Sequence, residues 1–276
     1  MRPLTATTTG VDLSIRERPA PHVERTKGRV HAIPVRPTKE HQTTFGEKAY
    51  RCFEWALAFI GLLVSIPVIL VAAVAIHFDS PGSVLFRHRR PGKFVQVRGR
   101  DLQNRVDLEP PAGGYDPDAW YYVPSYFTMF KLRTMFADAR SRFPEFYAYD
   151  FAPGEFHVQF PTSQYDPRVT RVGRILRKTS VDELPNLWSV LTGDMRLVGP
   201  RPEAPEVLKY YSQNELYKFS CTPGITGLAQ INGRGLLNWG QTLYWDLEYV
   251  RHRSIRLDLK VLFVTFWRVI FRQGAF

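Results

Sequence analysis

The chain is short of cysteine, of metal-binding histidine patterns and of acid. Among its 276 residues are two cysteines, Cys52 and Cys221. That is too few for a disulfide framework or a four-thiolate zinc site, and it fits a reduced, cytosol-facing setting. The seven histidines form no H-E-x-x-H or similar ligand set. His22, His31 and His41 lie near the N-terminus, and His88 and His252 lie in basic runs, so no zinc is assigned. There is no G-x-S-x-G elbow, no Walker A lysine spacing and no G-x-G-x-x-G, so neither a serine-hydrolase elbow nor a P-loop or Rossmann nucleotide site is supported. No glycine period suggests a fibre, and no internal repeat is visible. Aspartate and glutamate total 26 against 37 lysines and arginines, a formal net charge of +11. The imbalance points to anionic partners: nucleic acid, anionic lipid or phosphorylated small molecules. Nucleic acid fits least, because the basic residues do not cluster on one expected face with interleaved aromatics.

What the chain does have is one long apolar run. With 44% hydrophobic residues it is not wholly disordered, and its length fits one or two domains with a sizeable core. From Trp55 to Ile76 there is no charged residue. As a helix this run would be about 33 Å long at ~1.5 Å per residue, enough for a bilayer core. It begins too deep in the chain for a signal peptide, and no small-residue cleavage site follows. Pro67 sits near its middle with Ser65 two residues before, so a kink or break is expected there. Lys48 and Arg51 precede it, and Arg87, Arg89, Arg90 and Lys93 follow. With both flanks basic, the positive-inside rule favours neither side. A kinked span and a re-entrant helix both remain open; in the second, the Ser65 hydroxyl would help satisfy the broken backbone.

The rest divides by composition. Residues 1–46, rich in Thr, Pro, Arg and His, read as a disordered basic tail; 47–78 form the membrane-embedded kinked helix; 79–276 form a cytosolic domain. In that domain Ser83–Phe86 reads as a short strand, 98–126 as a long irregular loop, and Phe143 to Tyr165 as a second irregular stretch. Between them FTMFKLRTMFADARSR reads as a strand leading into a helix. Arg168–Lys178, Val181 to Leu191 and Pro205–Leu216 read as helices. Leu257 to Phe271 is too short to span. It fits an interfacial helix with Trp and Phe buried and Lys260 and Arg268 at the headgroups, or equally a packed core helix.

The chemistry concentrates in Lys178 to Pro202, KTSVDELPNLWSVLTGDMRLVGPRP. Ser180-Val181-Asp182-Glu183 matches a capping box, with Ser180 as N-cap and two acids in a first helical turn. The same geometry serves catalysis. An ionised aspartate can attack phosphorus as a carboxylate nucleophile, and a second carboxylate can hold Mg²⁺ together with substrate phosphates. Basic residues stand where such a site needs them. Lys131 and Arg133 occur in Phe130-Lys131-Leu132-Arg133-Thr134-Met135. Arg201 lies between two prolines. Arg234 closes a glycine-rich stretch from Pro223 whose backbone N–H groups could approach a phosphate. Surface salt bridging is the ordinary role of any one of these arginines; the argument rests on their gathering near one acid pair.

These segments, together with DPRVTRVG from Asp166, PGITGLAQINGR from Pro223 and WDLEYV from Trp245, resemble the bacterial sugar transferases, the monotopic polyprenyl-phosphate phosphoglycosyl transferases. The resemblance runs from about residue 47 to 271. It implies an α+β, mostly helical fold: a re-entrant membrane helix broken at a proline plus a small interfacial catalytic domain with amphipathic helices. It implies transfer of a sugar-1-phosphate from a UDP-sugar to undecaprenyl phosphate, releasing UMP through a covalent aspartyl-phosphosugar. This would be the initiating step of exopolysaccharide, O-antigen or glycoconjugate assembly. Carried over, Asp182 is the nucleophile, Glu183 with Asp182 holds Mg²⁺, Lys131, Arg133, Arg201 and Arg234 bind substrate anions, and Ser65 and Pro67 belong to the membrane element. Anionic membrane lipids are expected partners, nucleic acid is not, and a homodimer stays open. The expected location is the bacterial inner membrane with the catalytic domain on the cytosolic face. One departure concerns the helix break: the family often has Ser directly before the Pro, whereas here Ile66 intervenes. The competing readings are a non-catalytic membrane adaptor, which would tolerate Asp182→Asn, and a Mg²⁺-dependent lipid-diphosphate phosphatase, which would release inorganic phosphate.

Overall fold

A computed structural model describes residues 30–35, 44–111, 113–148, 151–152, 155–158, 166–212, 214–233 and 236–270. In chain order its elements are β1 (Val30–His31), β2 (Ile33–Val35), α1 (Phe45–Asp79), β3 (Leu85–Arg98), β4 (Leu108–Glu109), β5 (Trp120–Leu132), α2 (Ala139–Arg142), α3 (Glu155–Val158), α4 (Arg171–Thr179), α5 (Leu187–Leu191), β6 (Arg196–Val198), β7 (Gly224–Thr226), α6 (Leu228–Gly233), α7 (Trp239–His252) and α8 (Ile255–Ile270). The molecule is mostly helical with some sheet.

Helix α1 starts where the sequence can cap it. Thr44 Oγ1 accepts from the Glu47 N–H, and Glu47 accepts from the Thr44 N–H, a reciprocal pair that satisfies two otherwise orphaned donors. The helix continues across Pro67 without interruption, so the expected break is not observed. Proline leaves the Leu63 carbonyl without its usual donor. Ser65 does not supply one, because its hydroxyl donates to the Leu62 carbonyl at 2.8 Å. At ~1.5 Å per residue the 35-residue helix is about 52 Å long.

One face of α1 is buried along its length, at Tyr50, Glu54, Ala58, Ser65, Ala72 and Ile76. Gly61 lies on this face opposite Leu187, where an added Cβ would make ordinary contact with Leu187 Cδ1 at 3.4 Å. Near its N-terminus Arg51 donates to the Val190 and Met195 carbonyls, and Glu54 binds Arg196 and accepts from the Leu197 N–H. At its C-terminal end Ala72 and Ile76 pack with Leu132 and Leu176. There Asp79 accepts from the Val172 N–H at 3.2 Å, and Arg133 donates to the Ser80 and Pro81 carbonyls. Both ends of the apolar helix therefore seat on the same body. Its outer face is exposed and apolar, with Val64 and Val71 each 72% exposed. Burying each such side chain is worth about 1.5–3 kcal/mol, so a face this long is an unpartnered surface in water. By length and composition α1 is the one described helix able to cross a membrane.

The sheet differs from the sequence reading. Strand β3 begins at Leu85 and runs for 14 residues, and the expected loop at 98–126 contains most of β5's N-terminal half. The two pair antiparallel from Leu85↔Leu132 to Arg98↔Trp120, with a register shift between Pro91 and Phe94. Strand β2 adds to the outer side of β5, giving the order β2-β5-β3, and β1 pairs with β4. Residues 30–35 are thus strand, not tail. Ala32 is buried with Leu102, Leu108 and Tyr121 in the core that also holds Val207, Leu208 and Phe219. The expected helix at Val181 to Leu191 is a 3₁₀ turn, Val181–Asn186, followed by α5. Pro185, with no N–H to donate, prevents a regular α-helix there. The expected helix at Pro205–Leu216 is likewise two 3₁₀ segments, Pro205–Tyr210 and Glu215–Ser220. Helix α8 occupies the expected C-terminal position. Leu259, Phe263, Phe266 and Trp267 are exposed on it, and Phe271 lies outside the described residues.

Candidate active site

Helix α4 delivers the acid pair. Thr170 caps it through the Gly173 N–H at 3.0 Å. Gly173 lies against Thr134, where a Cβ would come within 2.0 Å of the Thr134 carbonyl. The helix ends at Ser180, whose φ of 61° makes it the only described non-glycine residue in the left-handed region. Its N–H bonds back to the Leu176 and Arg177 carbonyls. Ser180 is therefore a C-cap and makes no side-chain N-cap bond to the following turn. The capping-box expectation fails for that reason: the left-handed residue turns the chain over, and Glu183 is directed elsewhere.

Glu183 meets two cations from distant parts of the chain. Lys131 Nζ, near the end of β5, lies 2.8 Å from Glu183 Oε1, and Arg201 Nη2 lies 2.9 Å from the same oxygen. Lys131, Glu183 and Arg201 line a cavity of about 180 Å³ together with Asn186, Glu203 and Trp239. The Arg201 side chain is 40% exposed, so a ligand can reach it. Asp182 is only 6% exposed and is not among the cavity-lining residues. Burial, reinforced by the Glu183 charge, pushes its pKa up to about 6 against the pull of Lys131, Arg177 and Arg201. The Glu183 charge holds the Arg201 guanidinium above its ordinary range. Burial lowers Lys131, opposed by Glu183.

Arg201 is held by a backbone clamp. Strands β6 and β7 pair in parallel. The Gly199 N–H bonds the Thr226 carbonyl, and the Gly224 N–H bonds the Pro200 carbonyl, each at 2.9 Å. A Cβ on Gly224 would lie 2.0 Å from the Gly199 nitrogen. The glycines of the Pro223 stretch thus let two backbones touch; Gly224's N–H is occupied and not offered to a phosphate. Behind this loop lies a buried ionic cluster that reaches the cavity at Glu203: Lys218 Nζ sits 2.5 Å from Glu203 Oε1 and 2.8 Å from Asp246 Oδ2.

Of the sequence-derived candidates, the structure brings Asp182, Glu183, Lys131 and Arg201 together. Arg133 is 7% exposed. Its guanidinium is engaged by the Ser80 and Pro81 carbonyls and ties the end of α1 to β5, so it does not line the cavity. Arg234 lies outside the described residues. Sequence reasoning missed Arg177, which donates to Thr134 Oγ1 at 3.0 Å and acts electrostatically on Asp182. It also missed Asn186, and Lys218 with Glu203. Asp246 and Glu203 do sit within or beside the quoted motifs, which was their only signal. For a metal, no group of three or more His, Cys, Asp or Glu side chains gathers among the described residues. Two adjacent carboxylates are still a donor set suited to Mg²⁺, which takes one or two carboxylates and completes its shell with water and substrate phosphate.

Glu183 with two cations lines a cavity beside the buried Asp182, on a body that seats a long apolar helix. The sequence profile described as "Bacterial sugar transferase" matches residues 45–100 and 123–272, and the chain belongs to that family. It is 36% identical over 237 residues to the "Undecaprenyl-phosphate glucose phosphotransferase" of Komagataeibacter xylinus, covering 82% of this chain and 36% of that protein. It is 31% identical over 231 residues to "Exopolysaccharide production protein ExoY" of Rhizobium meliloti (strain 1021), covering 84% of this chain and 89% of that one. With the "Undecaprenyl-phosphate galactose phosphotransferase" of Salmonella typhimurium it shares 40% identity over 151 residues, 54% of this chain and 32% of the relative. The chain thus spans about a third of the length of the first and third relatives and most of the second. The profile passes over residues 101–122, the segment that carries β4 and the start of β5 and pairs with residues 30–35.

Proposed function

We propose that the protein transfers a sugar-1-phosphate from a UDP-sugar to undecaprenyl phosphate and releases UMP, initiating polysaccharide assembly. The observation that carries this reading is the convergence of Lys131 and Arg201 on one Glu183 oxygen beside a buried Asp182. Without substrate, Glu183 neutralises two cations; an incoming diphosphate offers them a stronger anionic partner. The Asp182 carboxylate, turning into the cavity, attacks the β-phosphorus. The new O–P bond forms as the bond to the bridging oxygen breaks, and UMP leaves with that electron pair. The lipid phosphate then attacks the same phosphorus and Asp182 departs, so no net proton is required. Lys131 and Arg201 hold and neutralise the phosphoryl oxygens in both steps. Asp182 and Glu183 would hold Mg²⁺, which when bound neutralises phosphate charge.

The membrane part of the proposal rests on the seating of α1. Both of its ends contact one body, so the exposed apolar face of this unbroken helix lies along one leaflet, and α8 lies in the same interface with Phe263, Phe266 and Trp267 toward lipid. The basic excess attracts anionic headgroups. The body then faces the cytosol at the bacterial inner membrane, where a soluble donor and a lipid acceptor meet.

The test is UMP release by protein held in nanodiscs, with undecaprenyl phosphate, Mg²⁺ and a panel of UDP-sugars. Lipid-dependent UMP, and a mass increase of one phosphosugar on wild type but not on Asp182→Asn, are expected. Inorganic phosphate in place of UMP, or UMP release unaffected by Asp182→Asn, would overturn the proposal.

A further inference from the structure

We infer that Asn186 reads a hydroxyl of the donor sugar, an inference that rests on the transferase reading above. Asn186 is 3% exposed, yet its Oδ1 is buried with no hydrogen-bond partner. Buried acceptors are nearly always satisfied, so an unpartnered one on a residue that lines a cavity points to a ligand donor, reached by a turn of the carboxamide. Asn186 lines the same cavity as Lys131, Glu183 and Arg201. The backbone explains why. In the 3₁₀ turn Val181–Asn186, residues three apart eclipse, so Glu183 and Asn186 share one side of the turn. Pro185 favours that turn over an α-helix, in which Asn186 would stand about 60° around the axis from Glu183 instead of eclipsing it.

The chemistry of the position selects the ligand group. Asn186 stands one turn from the acid pair, and the groups nearest that pair are the β-phosphorus and what it carries. On one side that is the sugar; uridine lies a further phosphate away. The cavity of about 180 Å³ is smaller than the ~300–1,000 Å³ that encloses a drug-sized ligand, a size that suits the phosphosugar end of the donor better than the whole nucleotide sugar. The lipid phosphate carries no sugar hydroxyl. Met129, Met195 and Trp239 supply apolar wall for the C–H face of a pyranose. A carboxamide oxygen accepts a hydrogen bond, so the group it fits is a hydroxyl of a hexosyl or N-acylated hexosyl donor.

The experiment pairs ligand and protein deletions. UMP release is measured for wild type, Asn186→Ala and Asn186→Asp with the active UDP-hexose and with its deoxy analogues, one hydroxyl removed at a time. Asn186→Leu replaces the alanine variant should the latter fail to melt cooperatively. Removal of one hydroxyl is expected to lower wild-type kcat/KM about 3- to 10-fold, the effect of a neutral hydrogen bond. The same removal should have no effect in Asn186→Ala. Asn186→Asp, still an acceptor, should regain the sensitivity whatever its absolute rate. Equal sensitivity of wild type and Asn186→Ala to every hydroxyl deletion would overturn the inference while leaving the transferase reading intact. Absence of lipid-dependent UMP from wild type with every donor would overturn both.

Discussion

Asp182→Asn should make the protein more stable while abolishing turnover. In the folded chain burial and the neighbouring Glu183 charge raise the Asp182 pKa from 3.8 to about 6. At about 1.4 kcal/mol per unit, the ionised carboxylate then destabilises the fold by up to about 3 kcal/mol. The side chain is 6% exposed, so solvent screens little of this. The sign follows from proton binding: between pH 4 and 6 the folded state holds the Asp182 proton more tightly than the unfolded chain. Stability from this group is therefore present below about pH 4, falls as pH rises through about 6, and is fully lost above. Asparagine keeps the shape without the charge. Thermal melts of nanodisc-held protein in EDTA, without donor, should show the variant melting above wild type at pH 7.5. At roughly 2–4 °C per kcal/mol the full effect is roughly 6–12 °C. The gap should close toward pH 4, and UMP release should be lost throughout. A variant that melts at or below wild type at pH 7.5, or a gap independent of pH, would refute the reasoning.

Three further outcomes follow from the packing. Ser180→Val forces a β-branched residue into the left-handed region and should lower stability by about 1–3 kcal/mol with loss of UMP release, whereas Ser180→Gly should keep both, as read by melts and turnover. Glu54→Leu leaves Arg196 and the Leu197 N–H without their partner at a fully buried site; a loss of about 3–5 kcal/mol and protease sensitivity around residues 45–55 are expected, and unchanged melting would disprove the clamp. Ala32→Asp places a charge in the core shared by Ala32, Leu102, Leu108 and Tyr121. It should open residues 101–122 to proteolysis while turnover per folded molecule is largely retained; uniform protection of that segment would show that residues 30–35 do not hold it.

The residues that gather at the candidate site were easier to read than its shape. Asp182, Glu183, Lys131 and Arg201 are legible because each is a charged residue in a short, distinctive run, and the long apolar stretch is legible because no charge interrupts 22 residues. The local geometry was not, since it turns on features that periodicity does not register. A capping-box spelling at Ser180 became a left-handed C-cap, because α4 already occupies the residues before it and the chain must reverse there. Pro185 converts an apparent helix into a 3₁₀ turn, which brings Asn186 into eclipse with Glu183. The aromatic run from Trp120 does not alternate and contains Pro124, so it reads as loop; it is a strand because β3 supplies twelve pairing partners across a register shift. Arg133 and Arg201 look alike as sequence candidates, each an arginine in a short distinctive run. Only the fold separates them: one closes on the carbonyls that end α1, the other on a carboxylate at an open cavity. The identity of a charged residue can therefore be taken from the chain, but whether its charge is free for a ligand depends on which backbone groups the fold leaves nearby without partners.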